Sequence, residues 1–497
     1  MPPRSLLRLA VPVILALVPV SDAADYYVSP KGLDTNAGTL AQPWKTIQKA
    51  ATTLAAGDTV FIRKGTYKEL VSIGVSGGNG NPATFRNYPS EKPVIDGAGK
   101  VPPDGSSALI LIQNRSNIVI QGLEIRNYKT TGENPVPVGI LIEGACQNVE
   151  LRGNNIHHIS NTHVNGNAFG IAVYGSSAVQ AVTGLVIDSN DVHHLKTGNS
   201  ESVVLNGNVD GFEVTSNRVH DNNNIGIDFI GFEGTCPDAN LDRARNGLCR
   251  ANRVWNISSR SNRSYHGEMS ADGIYCDGAK DITLDRNVVW FCDIGIELAS
   301  EAAGGSTTGI TVRDNFIYRN RITGLALGGY EAGLGSTSGC TVSNNTLFSN
   351  DTTRSGSGEI LLQHNVSGNT FTQNIIHAWT QGLMIGSQVP VGGGNVFLRN
   401  FYFMPRGDES ADWEWAGASF NGLAAWTAAG PQEQGALFAN PLFVKTSTGN
   451  LRLKVGSPAI DSGDPAFVAG AGETDVDGNA RVVGAAVDRG AHEFAPQ

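Results

Sequence analysis

Residues 271–301 read ADGIYCDGAKDITLDRNVVWFCDIGIELASE. The apolar runs in this stretch are four to six residues of Ile, Val, Leu and aromatics, bounded by Gly, Asn or Asp. Runs of that length and composition read as strands, and the small polar residues between them read as turns. Two Gly-apolar steps, Gly273-Ile274 and Gly295-Ile296, flank an Asn-x-apolar step at Asn287.

The same steps recur outward from here. Asn-x-apolar returns at Asn154, Asn190, Asn217, Asn252, Asn315, Asn345, Asn374 and Asn400. With Asn287 included, the intervals are 36, 27, 35, 35, 28, 30, 29 and 26 residues. The Gly-apolar step returns at Gly170-Ile171, Gly226-Ile227, Gly324-Leu325 and Gly382-Leu383. A loosely constant period in this range marks a solenoid. Helical repeats of similar period need a 3.6-residue pattern, which these runs lack. Each repeat is therefore one coil of an all-β, right-handed parallel β-helix, with like strands stacked into sheets. The recurring Asn is expected to be structural, because at a turn its side chain can bond the backbone of the next coil.

Composition agrees. Of 497 residues 61 are Gly, and charged residues make up 16%. The formal net charge is −10, and no run of five Lys or Arg occurs. That excludes the electrostatic footprint of a nucleic-acid binder. Arg4 and Arg8 precede an apolar run from Leu9 to Val20, with Ser21 and Ala23 at small-residue positions. This pattern reads as a signal peptide over 1–23, with the mature chain starting near Ala24. The apolar run is short of the roughly 20 residues a spanning helix needs. The expected mature protein is a soluble, secreted or periplasmic monomer with no membrane partner. None of its six cysteines forms a CxxC pair. Cys236 and Cys249 flank a polar stretch suited to a loop disulfide, whereas Cys276 lies within a strand pattern as core.

Four segments follow: the signal peptide 1–23, an N-terminal cap with first coils 24–107, the β-helix 108–403, and C-terminal coils with a capping segment 404–497. Within the cap, Trp44, Ile47, Ala51 and Leu54 lie on one helical face after Pro43, and Gly57 stops the helix. Thr59–Ile62 then reads as a strand. Trp413, Trp415 and Trp426 crowd the C-terminal segment, where they pack the cap or stack on sugar rings. Asp475, Asp477 and Asp488 read as turn and capping residues, with DVDGN a fragment of a calcium loop.

Aligning the Gly-Ile steps puts Asp228, Tyr275 and Glu297 at one position on their coils, where other coils have Ala172, Ala326 and Leu361. Strand alternation adds Asp277 to the same face, and Ile274, Cys276, Ile296 and Leu298 point to the core. The expected site is thus an exposed sheet face carrying Asp228, Tyr275, Asp277 and Glu297. Segment 231–270 is expected to arch beside it as a wall bringing Glu233, His266 and Glu268. Asp272, Asp293 and Glu301 fall at the strand ends. Asp277 and Glu297 are one coil apart and two residues offset, which puts their Cβ atoms roughly 8 Å apart. Crowded carboxylates persist where they share a proton, bind a cation or are solvated. For a whole cluster of carboxylates beside a long insertion, a functional site is expected.

The openings YYVSPKGLDTNAGT and DTVFIRKGTY resemble those of calcium-dependent pectate lyases of the parallel β-helix class. ADGIYCDGAK and CDIGIEL resemble the segments where those lyases hold calcium, which implies Ca²⁺ ligands at Asp272, Asp293 and Glu297. The sequence departs where that family has its catalytic lysine: here GLALGG puts Ala326 at the base position. GIYCD and GIEL also resemble the catalytic coils of parallel β-helix β-xylosidases. That likeness implies Asp277 as nucleophile and Glu297 as acid/base. The first functional expectation is a glycoside hydrolase of a poly- or oligosaccharide, with Asp277 as nucleophile or base, Glu297 as general acid, Asp228 and Tyr275 shaping the sugar site, and Asp272 and Asp293 tuning the carboxylates. The second is a calcium-dependent polysaccharide lyase taking its base from Lys280, Arg319, Arg321 or His266. The third is a non-catalytic carbohydrate-binding or cell-surface protein.

Overall fold

The computed structural model describes residues 23–387, 389–429 and 433–496. Residues 1–22 of the expected signal peptide lie outside that range. The chain winds as a parallel β-helix of three long sheets with 16, 13 and 13 strands. The first sheet runs from Asp25–Val28 to Val396–Leu398, and the third from Thr66–Tyr67 to Leu437–Phe438. The second sheet begins at Val71–Ile73. It continues through Val203–Gly207, Ile227–Ile230, Asp272–Asp277, Ile294–Ala299 and Thr323–Leu327. It ends in an antiparallel pair, Asp412–Trp415 with Ala418–Asn421.

The nine asparagines form one internal column. Asn190 Oδ1 accepts from the backbone N–H of Asn154 at 3.0 Å and from its Nδ2 at 3.0 Å. The same pair of bonds repeats coil by coil through Asn217, Asn252, Asn287, Asn315, Asn345 and Asn374 to Asn400. Glu433 closes the column by accepting from the Asn400 backbone. Each Asn thus satisfies buried backbone groups that the turn leaves without strand partners.

The Gly-apolar steps mark close approach. A Cβ on Gly295 would lie 2.3 Å from the Gly324 carbonyl oxygen, and one on Gly226 would lie 2.5 Å from that of Gly273. Both obstacles are backbone of the next coil, which cannot yield without breaking the stack. Gly295→Ala is therefore expected to lower stability by about 3 kcal/mol. A chemical denaturation midpoint equal to wild type would contradict this.

Four expectations are corrected. The helix is shorter than its apolar pattern, spanning Ile47–Ala51, with Thr46 as N-cap accepting from the Lys49 N–H; Trp44 lies outside it, stacked on Tyr26. The six cysteines are free and buried. Cys249 points into the core beside Asn252, while the Cys236 sulfur faces the Ser177 carbonyl, so no disulfide joins them. Trp413 and Trp426 are fully buried, packed against Phe397 and Tyr402, and offer no stacking surface. Finally, 231–270 is not one arch. It holds two regular strands, Ala244–Arg250 of the first sheet and Arg253–Trp255 of the third. Only the parts on either side of this coil leave the repeat: 231–243 follows Ile227–Ile230, and 256–271 precedes Asp272–Asp277.

Candidate active site on the second sheet

Register on the second sheet is as the Gly-Ile alignment requires. Val204 pairs with Asp228, Asp228 with Tyr275, Tyr275 with Glu297, and Glu297 with Ala326, followed by Leu361. Asp277 stands beside this column, opposite Ala299. Asp272 starts its strand opposite Ile294. Asp228, Tyr275, Asp277 and Glu297 point away from the core, as alternation dictates, whereas Asp272 at the strand start lies outside that alternation.

They are not exposed, which corrects the sequence expectation. Asp228 is 2% exposed, Asp277 5% and Glu297 8%. The turn after Ile294–Ala299 folds back over Asp277, whose Oδ1 accepts from the Glu301 N–H at 2.8 Å. Tyr265, on the segment before Asp272, stands near enough to Glu201, Glu301 and Asp272 for their charges to help burial raise its phenol to about 12. Tyr265 is fixed there by Asn224, whose Nδ2 donates to its hydroxyl at 3.1 Å.

Glu297 has two named partners. It shares a hydrogen bond with Asp272, and its Oε1 accepts from Gln363 Nε2 at 3.2 Å. Burial raises both carboxyls, and Glu297 reaches about 7. The pair thus holds one proton, Asp272 donating to the Glu297 carboxylate, and takes a second near neutrality. Burial also lifts Asp228 and Asp277 well above the ordinary carboxylate range, with repulsion from Glu233 and Glu301 adding to it. Tyr275 is raised by burial as well.

Glu201, absent from the sequence reading, belongs to this cluster. Burial and then Glu233 push it up to about 8. It precedes Val203–Gly207 on the edge position that Asp272 occupies two coils later. GNSESVVLNG has no Gly-apolar step to align it, so only the finished register reveals it. Gln363 lies two residues beyond the aligned Leu361, and its neutral side chain does not stand out in a search for carboxylates. Glu233 is exposed on the 231–243 side and accepts from Asn206 Nδ2 at 2.6 Å. A cleft of about 300 Å³ runs beside Glu201 and Glu233, lined also by Tyr174, Asn206 and Asn167. Larger hollows, about 560 Å³ at Phe291 and Trp379 and about 950 Å³ at the C-terminal cap, include none of these carboxylates.

Other expected site residues lie elsewhere. His266 and Glu268 are exposed on 256–271, with no side-chain hydrogen bond to the cluster among the described residues. Asp293 is fully buried and anchors that segment: its Oδ2 accepts from the N–H groups of Ser259 at 2.8 Å and Ala271 at 3.3 Å, and its Oδ1 lies 3.4 Å from Arg321 Nη1. With both oxygens engaged, Asp293 does not fit a calcium set with Asp272 and Glu297. Among the described residues, Asp475, Asp477 and His492 bring ligand atoms within 4.8 Å of one another, in the C-terminal cap. There Asp477 is paired with Arg452 and Asp475 is spent on backbone N–H groups.

The candidate bases are also displaced. Lys280 lies on the first sheet beside Asp281, and Arg319 donates to the Thr446 carbonyl at 3.0 Å. Arg321 is held by Asp293 and Asn256. Ala326 stands directly beside Glu297 in the column.

The raised carboxyls couple to stability. A carboxyl raised in the folded state holds its proton more tightly there than unfolded. Its stabilising contribution is complete below the unfolded value near 4.5 and is lost as pH climbs through the folded value. Between pH 5 and 8, Glu201 and Glu297 therefore make stability fall. Calorimetry should find Tm several degrees lower at pH 8 than at pH 5, and Glu201→Gln should reduce the difference. A Tm that rises over this interval would contradict the assignment.

Three stacked parallel sheets with an acidic outer face define a pectin-lyase-like β-helix protein. The description "Pel9A-like, right handed beta helix region" matches residues 26–232, and "Periplasmic copper-binding protein (NosD)" matches 241–402. The chain belongs to the family of the uncharacterized protein YwoF of Bacillus subtilis. The two are 39% identical over 438 residues, 88% of this chain and 92% of YwoF. Pectate lyase PEL9 of Emericella nidulans is 42% identical over 87 residues, 17% of this chain and 21% of that protein. The solved GH136 lacto-N-biosidase from Eubacterium ramulus superposes with a TM-score of 0.52 at 14% identity, covering 84% of this chain and 67% of that one. The last likeness is one of fold.

Proposed function

We propose that the chain is an enzyme exported from the cytoplasm that hydrolyses glycosidic bonds in an extracellular or periplasmic saccharide. Glu297 acts as general acid and Asp277 as general base. The observation that carries the reading is their joint placement. They project from adjacent strands of one sheet on one outward face, and Glu297 holds a proton that leaves near neutrality. A general acid works best with its proton poised near the working pH. Glu297 would protonate the glycosidic oxygen as its bond to the anomeric carbon breaks. Asp277 would take a proton from the water that attacks that carbon. Coil spacing puts their Cβ atoms roughly 8 Å apart, from which the carboxyl groups can reach either the about 5 Å used for retention or the about 6.5–9.5 Å used for inversion. Asp272 positions Glu297 through their shared hydrogen bond, and Asp228 and Tyr275 line the same face.

A calcium-dependent lyase is the second reading. It is favoured by the PEL9 match and by Asp228 Oδ1 and Asp272 Oδ1, which are buried without hydrogen-bond partners. β-Elimination needs a base at the uronate α-proton, and alanine at 326 supplies none. Product analysis separates the two. Lyase products carry an unsaturated, ultraviolet-absorbing uronate and form only while calcium is present. Hydrolase products lack that absorbance. Absorbing product that disappears on chelation would overturn the hydrolase proposal. Glycan binding without turnover on a broad panel would leave the non-catalytic reading. No helix among the described residues is long and apolar enough to cross a membrane.

A further inference from the structure

Six of the ten histidines fall within residues 157–220, and five of them, His157, His158, His193, His194 and His220, lie on or directly after strands of the third sheet, away from the acidic face. His157, His193 and His220 are in register on successive coils. Their rings stack at centroid distances of 5.0 and 5.0 Å, and the stack continues through Trp255, Trp290 and Tyr318. Stacking alone accounts for this column, since Trp and Tyr serve equally in later coils.

It does not account for the next residue on each coil. That position is left-handed, with φ of 57° at His158, 55° at His194, 55° at Asp221 and 53° at Asn256. Asn, Asp and His are all enriched in such a backbone, so what distinguishes these two positions is where their rings point. The two extra histidines turn back toward their predecessors. His157 Nδ1 lies 2.6 Å from His158 Nδ1, and His193 Nδ1 lies 2.7 Å from His194 Nδ1. His193 Nε2 is 3.0 Å from Asn155 Oδ1, and His157 Nε2 is 3.3 Å from Glu124 Oε1. Those partners draw the ring proton to Nε2 and leave Nδ1 with a lone pair. This is the outer support that metal-ligating histidines receive.

Two nitrogens bound to one ion at about 2.0–2.1 Å lie about 2.9–3.4 Å apart, depending on geometry. Each histidine pair needs to open by less than about 1 Å to reach that span. His158 and His194, 5.5 Å apart between centroids, both line a hollow of about 330 Å³ that also contains Asp221 and Asn256. Burial lowers His157 and His158 and brings His193 to about 4, so these rings are neutral at pH 7 and available as ligands. Arg126 and Lys129 nearby oppose a cation, while Glu124, Asp191 and Asp221 favour one.

We propose that the His157–His158 and His193–His194 pairs form a binding site for a borderline divalent transition-metal ion, of the Zn²⁺ or Ni²⁺ class. The test is calorimetric titration of untagged, chelator-stripped full chain with ZnCl₂ and NiCl₂ at pH 7.5. Wild type is expected to take up one or two ions with Kd of about 10 μM or tighter. In His158→Asn/His194→Asn, affinity should fall at least about tenfold, with unchanged Tm of the metal-free protein. Asparagine suits the left-handed backbone, so the fold should persist. His266→Asn, at a solitary exposed histidine with φ of 51°, should bind as wild type does. The proposal is overturned if wild type binds neither ion. It is equally overturned if uptake survives in the double variant, which would place the ion elsewhere, such as at Asp475, Asp477 and His492.

Discussion

Glu297→Gln is expected to lower kcat by about 10²–10⁴-fold on the saccharide the enzyme cleaves, with KM little changed. Glutamine keeps the shape and the contact with Gln363 Nε2 but has no proton to give the leaving oxygen. Asp277→Asn should cost as much, because the amide still meets the Glu301 N–H but cannot accept a proton from water. The wild-type rate should fall as pH rises through about 7, where Glu297 loses its proton. Burial has raised Asp277 too, so the acidic limb lies above the usual carboxylate range and the bell is narrow. Asp272→Asn should move the alkaline limb rather than remove activity, since Asp272 acts through Glu297. Rates across pH for the four proteins check this. Wild-type turnover by both Glu297→Gln and Asp277→Asn would end the assignment.

The largest stability effect is expected inside the asparagine column. Asn252 Oδ1 accepts from the Asn217 backbone and Nδ2 at 2.9 and 3.0 Å, and its Nδ2 donates to the Val214 carbonyl at 2.8 Å and to Asn287 Oδ1 at 3.0 Å. All of these groups are buried. Asn252→Ala strands several of them without water, at about 1–3 kcal/mol for each. A total of about 3–5 kcal/mol follows once partial relaxation is allowed. Asn240→Ala, on the exposed 231–243 segment, is the matched control and should change stability by less than about 0.5 kcal/mol. Denaturant midpoints for the two variants test the contrast. Equal midpoints would mean that the column does not hold the coils together.

The coil register was legible because two residue types recur for separate physical reasons. Asparagine is needed where backbone groups must be capped inside the stack. Glycine is needed where one coil touches the next. Together they place Asp228, Tyr275 and Glu297 in one column. What alternation does not reveal is burial: a side chain pointing away from the core is still covered when a neighbouring turn folds over it, as at Glu301 above Asp277. The contact between Asp272 and Glu297 was also hidden, because Asp272 sits at the strand start, outside the simple alternation. The length of segment 231–270 suggests an excursion, yet Asn252 within it marks a regular coil. Asp293 looked like a ligand because it is an acid at a strand end. Its role is to hold the two ends of the segment before Asp272, a long-range contact with no local sequence signature.

The central claim is that the acidic face of the second sheet hydrolyses a glycosidic bond. The most direct measurement is product formation from a panel of neutral and uronate-containing saccharides, with reducing ends and ultraviolet absorbance read together in the presence of chelator. The account predicts that wild type releases reducing ends without unsaturated uronate and that Asp277→Asn releases none. Reducing ends from Asp277→Asn at the wild-type rate, or absorbing products from wild type that vanish with chelator, would contradict it.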